Sequence, residues 1–130
     1  YYVIKNFAAK IVIMVEFLAK EQYWGNIEYK CALINMTPVK IKKYATQLKF
    51  RIIEGSGIAV YMIGVCDDGK IIGIKNNKIT NCNLIMLGMC EEINASIKSK
   101  KVIEITPDKC LLVYVLENLF IMGDIPYLVG

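Results

Sequence analysis

Gly64-x4-Gly69-Lys70 has the Gly, Gly and Lys spacing of a phosphate-binding P-loop, in which backbone N–H groups cradle phosphates and the Lys reaches the terminal ones. The next position requires a Ser or Thr hydroxyl to hold Mg²⁺, and Ile71 stands there. A P-loop also runs from a strand into a helix, so that helix-terminal N–H groups meet the phosphates. Here Ile71, Ile72 and Ile74 resume an apolar β-branched run, and Asp68-Gly69 has the chemistry of a two-residue hairpin turn with φ > 0 at both centres. The segment is therefore a turn between strands. Carboxylate pairs stand at Asp67-Asp68 and Glu91-Glu92. The first belongs to turn geometry. The second falls in a helical pattern, where neighbouring side chains diverge by about 100° and do not address one bond.

Histidine is absent from the 130 residues, so imidazole acid–base catalysis, His metal ligation and His-activated Cys nucleophiles are excluded within the chain. The five cysteines, at 31, 66, 82, 90 and 110, are odd in number and form no C-x2-C pair. Without a secretory pattern, they point to a reducing, cytoplasmic setting with free thiols packed as small hydrophobes. A four-cysteine zinc site would need ligands gathered from scattered elements. No catalytic residue, metal or cofactor is assigned, and the chain reads as a non-enzyme.

Binding chemistry is better represented. The net charge is +4, with Lys40, Lys42, Lys43, Lys49 and Arg51 clustered on one segment and Lys98, Lys100 and Lys101 on another. Tyr23, Trp24 and Tyr29 lie beside Lys20 and Lys30, and Tyr44 lies inside the first basic segment. Cations interleaved with aromatics are the parts that hold phosphates and stack unpaired bases. A solvated helix face has the same charge pattern, and buried tyrosines the same composition. The reading assigns the two lysine groups, with Arg51, to nucleic-acid phosphates and Trp24 to stacking.

The elements that position these residues follow from periodicity. Residues 26–34 read as a strand. Thr37-Pro38 opens a helix, with Thr as N-cap and Pro at the first helical position, and Gly55 closes it. Ile41, Tyr44, Ala45, Leu48 and Ile52 make its buried stripe. Strands at 58–66 and 70–75 form a hairpin, the first apolar enough to be covered on both faces. A second helix runs from Thr80 to about residue 99, placing Lys98, Lys100 and Lys101 at its C-terminal end. Strands at 102–105 and 110–116 finish the order β-α-β-β-α-β-β, an α/β (α+β) domain with a mixed sheet and two main helices. The division is an N-terminal extension at 1–24, a single domain at 25–118 and a tail at 119–130. Residues 1–20 are apolar but interrupted by Lys5, Asn6, Lys10 and Glu16, so they fall short of a membrane span and suit a helix docking on a partner.

Three strings carry a family resemblance: Gly25-Asn-Ile-Glu-Tyr-Lys30, Ala45-Thr-Gln-Leu-Lys-Phe-Arg51, and Glu54-Gly-Ser-Gly57 followed by Tyr61-Met-Ile-Gly-Val-Cys-Asp-Asp-Gly-Lys-Ile-Ile-Gly73. They lie within a stretch of about 50 of 130 residues that resembles the domain preceding the G domain in translational GTPases of the GTP-binding protein 1 and 2 type. Cys66 stands where that pattern has an acidic residue. The C-terminal Leu119-Phe-Ile-Met-Gly-Asp-Ile-Pro-Tyr-Leu-Val-Gly130 resembles at most a relic of the strand before a G domain, without Gly-Lys-Ser/Thr. The resemblance implies a ribosome partner bound without turnover. It extends to the dormancy, or hibernation, factors of compact microsporidian ribosomes, which implies occupation of a tRNA site, the exit site favoured, and inhibition of translation. A looser resemblance to Schlafen and AlbA-like domains implies a nucleic-acid-binding domain or nuclease using Glu28, with loss of function in Glu28→Ala as its signature.

Overall fold

The computed structural model describes residues 2–4 as backbone, 21–22, and 25–119. Trp24 and Tyr23, most of the N-terminal extension and the tail beyond Leu119 lie outside the described residues.

Six strands, β1 (Tyr2–Ile4), β2 (Ile27–Lys30), β3 (Ile58–Ile63), β4 (Ile74–Lys75), β5 (Ser96–Thr106) and β6 (Lys109–Glu117), build one mixed sheet with two helices, α1 (Pro38–Glu54) and α2 (Ile79–Glu92). The sheet runs β1-β5-β6-β3-β2, with β4 added to β6. β1 with β5 and β2 with β3 are parallel pairs, and the remaining pairs are antiparallel. The expected β-α-β-β-α-β-β order is present, and β1 joins it at one edge. Where the sequence favours a helix in residues 1–20, Tyr2–Ile4 is strand.

α1 begins as its sequence dictates. The Thr37 hydroxyl accepts the Lys40 N–H at 3.2 Å, and Pro38 occupies the first turn, where its missing N–H leaves nothing unsatisfied. Gly55 ends the helix for reasons of space: a Cβ there would lie 1.8 Å from the Ile58 carbonyl oxygen. Ala45, Leu48 and Ile52 of α1 and Ile85, Met86 and Met89 of α2 pack on Tyr61, Ile63, Leu112, Tyr114 and Leu116 of the sheet. Each large side chain so buried contributes roughly 1.5–3 kcal/mol. The opposite sheet face carries a smaller cluster of Tyr29, Val65, Ile103 and Leu111. β3 accordingly alternates, with Ala59, Tyr61 and Ile63 fully buried and Ile58, Val60 and Met62 half-buried, and is not equally covered on both faces.

Two expected elements change. The hairpin partner of β3 shrinks to the single bridge Val65–Ile71, because β4 pairs with β6 instead. Its turn has three residues, Asp67, Asp68 and Gly69, with φ positive at Gly69 and not at Asp68. Cys66 N–H bonds to the Lys70 carbonyl, and Gly69 N–H to the Cys66 carbonyl, as in a type I turn closed by a left-handed glycine. α2 stops at Glu92 because Asn94 turns left-handed at φ 57. The Ala95 and Asn94 N–H groups then return to the Cys90 and Glu91 carbonyls, a Schellman-type close. The chain continues as β5, so residues 96–101 are strand rather than helix. α2 also lacks the expected Thr80 cap; a 3-10 turn at Asn76–Lys78 leads into it and Thr80 sits inside the helix.

Candidate nucleic-acid interface

Lys40, Lys42, Lys43 and Lys49 are all exposed on α1 and make no ion pair among the described residues. Lys42 and Lys49, seven residues apart, lie almost directly above one another, about 10.5 Å apart along the axis. Lys43 shares the outward row with Val39, Thr46 and Phe50, all exposed. This face offers mobile cations around a few apolar contacts, and no carboxylate of α1 faces it, since Glu54 at the last turn is the helix's sole acid.

Arg51 belongs to the opposite environment, which corrects its expected role. It is 5% exposed, with Nε 3.0 Å from Glu28 Oε1, Nη1 donating to the Gly25 carbonyl at 3.0 Å and Nη2 to the Gln22 carbonyl at 2.8 Å. Lys30 Nζ approaches the other Glu28 oxygen at 3.4 Å, donates to Gln47 Oε1 at 3.1 Å and sits 4.3 Å from the centre of the Tyr44 ring. Glu28 thus has one cation on each oxygen and is engaged as a structural anion, not presented as a metal ligand. Glu28→Ala would leave Arg51 buried without its counter-charge, so loss of function in that variant does not identify a nuclease. Tyr29 is buried in the second cluster and offers no stacking face.

The second expected patch is dispersed. Lys98 lies at a bulge in β5 and approaches Glu117 at 3.9 Å. Lys100 stands opposite Tyr114 and Lys101 opposite Val113, so their side chains leave opposite faces of the sheet. Burial lowers the Lys100 pKa. These three lysines do not form one surface.

A cleft of about 550 Å³ opens between β2, α1 and the 67–69 turn, lined by Glu21, Glu28, Gln47, Phe50, Arg51 and Asp67 among others. Glu21 accepts the Tyr29 N–H on the outer edge of β2, and its own N–H donates to the Asp67 carbonyl at 2.7 Å. Desolvation raises the Glu21 pKa, reinforced by the nearby Glu28 and Asp67 charges and opposed by the bond from Tyr29. Three carboxylates against one guanidinium make this cleft unfavourable for phosphate. The outer face of α1, with four exposed lysines and no facing carboxylate of its own helix, has the charge that suits an anion. The thiols were also only partly legible: Cys82, Cys90 and Cys110 are buried as expected, but Cys31 is exposed and Cys66 half-buried, their sulfurs 3.2 Å apart.

The strings that carry the family resemblance therefore meet in space. Gly25, Glu28 and Lys30 join Gln47 and Arg51, while Gly64 touches Gly73. Comparison with known proteins agrees with a shared segment. The chain is 37% identical over 81 residues to GTP-binding protein 2 of Homo sapiens and of Mus musculus, a match spanning 62% of this chain and 14% of each relative. It is 40% identical over 82 residues to an uncharacterized protein of Acanthamoeba polyphaga mimivirus, spanning 62% of this chain and 44% of that protein. The chain thus corresponds to a small part of GTP-binding protein 2 and to less than half of the viral protein. No described protein family matches it, and no solved structure does.

Proposed function

We propose that this chain is a non-catalytic, cytoplasmic ribosome-binding factor that occupies a tRNA site, the exit site favoured, and holds idle ribosomes inactive. The observation that carries the reading is the outer face of α1, where Lys40, Lys42, Lys43 and Lys49 stand exposed and without ion pairs among the described residues. Such a face contacts phosphate without reading sequence, as a ligand of folded rRNA requires. The partial similarity to GTP-binding protein 2, joined to the resemblance of its strings to translational GTPases, supports translation as the setting. Glu28 held between Lys30 and Arg51 supports binding over nuclease chemistry.

The test is co-sedimentation of the chain with ribosomes at stepped salt, beside a Lys42→Glu/Lys43→Glu/Lys49→Glu variant. Stoichiometric pelleting at physiological salt that the variant loses, with its melting temperature unchanged, supports the reading. Pelleting equally matched by bulk RNA, or unaffected by the three substitutions, overturns it.

A further inference from the structure

Cys31 and Cys66 are brought together by the parallel pairing of β2 and β3. Lys30 stands opposite Ile63, and its carbonyl accepts the N–H groups of Gly64 and Val65. That pinning carries the two chains side by side past the ends of their strands, and the next side chains to meet are the thiols, 3.2 Å apart. A disulfide needs the sulfurs at about 2.05 Å, so a shift of roughly 1 Å suffices. Cys66 sits in the excursion from Gly64 to Gly73, outside the regular strands, where the Val65–Ile71 bridge and its own bonds to Lys70 and Gly69 hold its backbone beside Cys31. Cys31 is exposed to solvent, whereas Cys82, Cys90 and Cys110 are buried and out of an oxidant's reach.

We propose that Cys31 and Cys66 are a thiol oxidation site that hydroperoxides convert to an intramolecular disulfide clamping β2 to the Gly64–Gly73 excursion. One thiolate attacks a peroxide oxygen; the O–O bond breaks, the second oxygen leaves as alcohol or water, and a sulfenic acid forms. The other sulfur attacks that sulfenic sulfur, forming the S–S bond while the S–O bond breaks and water departs with the second thiol's proton. Two thiols are oxidised by two electrons and one hydroperoxide is reduced. The Cys31 pKa is pushed up to about 11, first by the hydrogen bond with Cys66, then by burial and by the charges of Cys66, Asp67 and Asp68. Oxidation through this thiolate is correspondingly slow near neutrality and quickens as pH rises. The link encloses the stretch containing α1 and β3, and it fixes the residue next to Lys30, whose amine ties Glu28 and Gln47 together. The proposal rests on the thiol geometry and is independent of ribosome binding.

The experiment treats the reduced full chain with hydrogen peroxide and maps its peptides without reductant. The expected result is a Cys31–Cys66 link with loss of two hydrogens in mass. The melting temperature should rise by on the order of 10 °C, reversed by dithiothreitol. Cys66→Ser should form no internal link, and Cys82→Ser should form it normally. A map showing Cys31 joined to a second copy, or overoxidised without an internal link, overturns the proposal. A Cys31–Cys66 link that leaves the melting temperature unmoved overturns the clamp.

Discussion

Arg51 shows how a residue's type and its role separate. Its sequence neighbours are lysines that face solvent, yet its guanidinium turns inward and places all three nitrogens on Glu28, Gly25 and Gln22. Removing one partner of a buried ion pair typically costs about 3–5 kcal/mol, because the other charge is left unpaired. Arg51→Leu is expected to lose that much in chemical denaturation, and Glu28→Leu/Arg51→Leu to recover most of it. Equal losses in the single and double variants would refute the pairing. Glu21 makes the pH-dependent counterpart. Its pKa is raised in the folded chain, so its contribution is fully present below the ordinary carboxylate range and is lost as pH rises through the folded value. Glu21→Gln retains an acceptor for the Tyr29 N–H and removes the charge. It should stabilise the chain by less than about 1 kcal/mol at pH 7 and by nothing below about pH 4. A benefit that grows toward acid would contradict this assignment. Exposure of Lys40, Lys42, Lys43 and Lys49 follows from helical spacing and was legible in the sequence. The inward turn of Arg51 was not, because its partner Glu28 lies on another element 23 residues away.

At the scale of elements, the excursion between β3 and β4 explains the glycines that resemble a P-loop. β3 pairs Ile63 with Leu112 of β6, and β4 resumes the same flank of β6 with Ile74 opposite Cys110. The ten residues between leave the sheet and return to it at one point. The Ile72 and Gly73 N–H groups both donate to the Gly64 carbonyl at 2.9 Å, and φ is +105° at Gly64 and +71° at Gly73. A Cβ on Gly64 would lie 3.0 Å from the Gly73 Cα, against backbone that has no side chain to swing aside. Gly64→Ala should therefore destabilise the chain by roughly 1–3 kcal/mol, through left-handed strain and contact together. Urea unfolding measures it, and a loss under 0.5 kcal/mol would remove the pinch from the account. The sequence marks both glycines but allows a local hairpin equally well, since the choice of β6 as partner depends on residues 110–112. The same limit explains α2. Ile93 and Ile97 continue its helical spacing, and only the left-handed Asn94 and the pairing of 96–106 with β6 reveal strand.

For the whole molecule, charge is separated by surface rather than by sequence segment. The outer face of α1 is cationic, and the cleft beside it, with Glu21, Glu28 and Asp67 against Arg51, is anionic. The lysines of β5 are divided between two sheet faces and an ion pair with Glu117. The α/β architecture and the lysine positions on α1 were legible from periodicity and capping; the dispersal of the second patch was hidden, because it turns on strand register. This distribution fixes the expected salt response. Four lysines contacting phosphates should release counterions to give a slope of about −2.8 to −3.6 in log K against log salt, the range for single-stranded and duplex nucleic acid. Titrating RNA binding by fluorescence anisotropy from low to physiological salt reads that slope. Lys42→Glu/Lys43→Glu/Lys49→Glu should flatten it to near −1, whereas Lys98→Glu/Lys101→Glu should leave it within about one unit of the wild type. The reverse pattern would move the interface from α1 to β5, where Lys101 is paired in register with Tyr2 of β1.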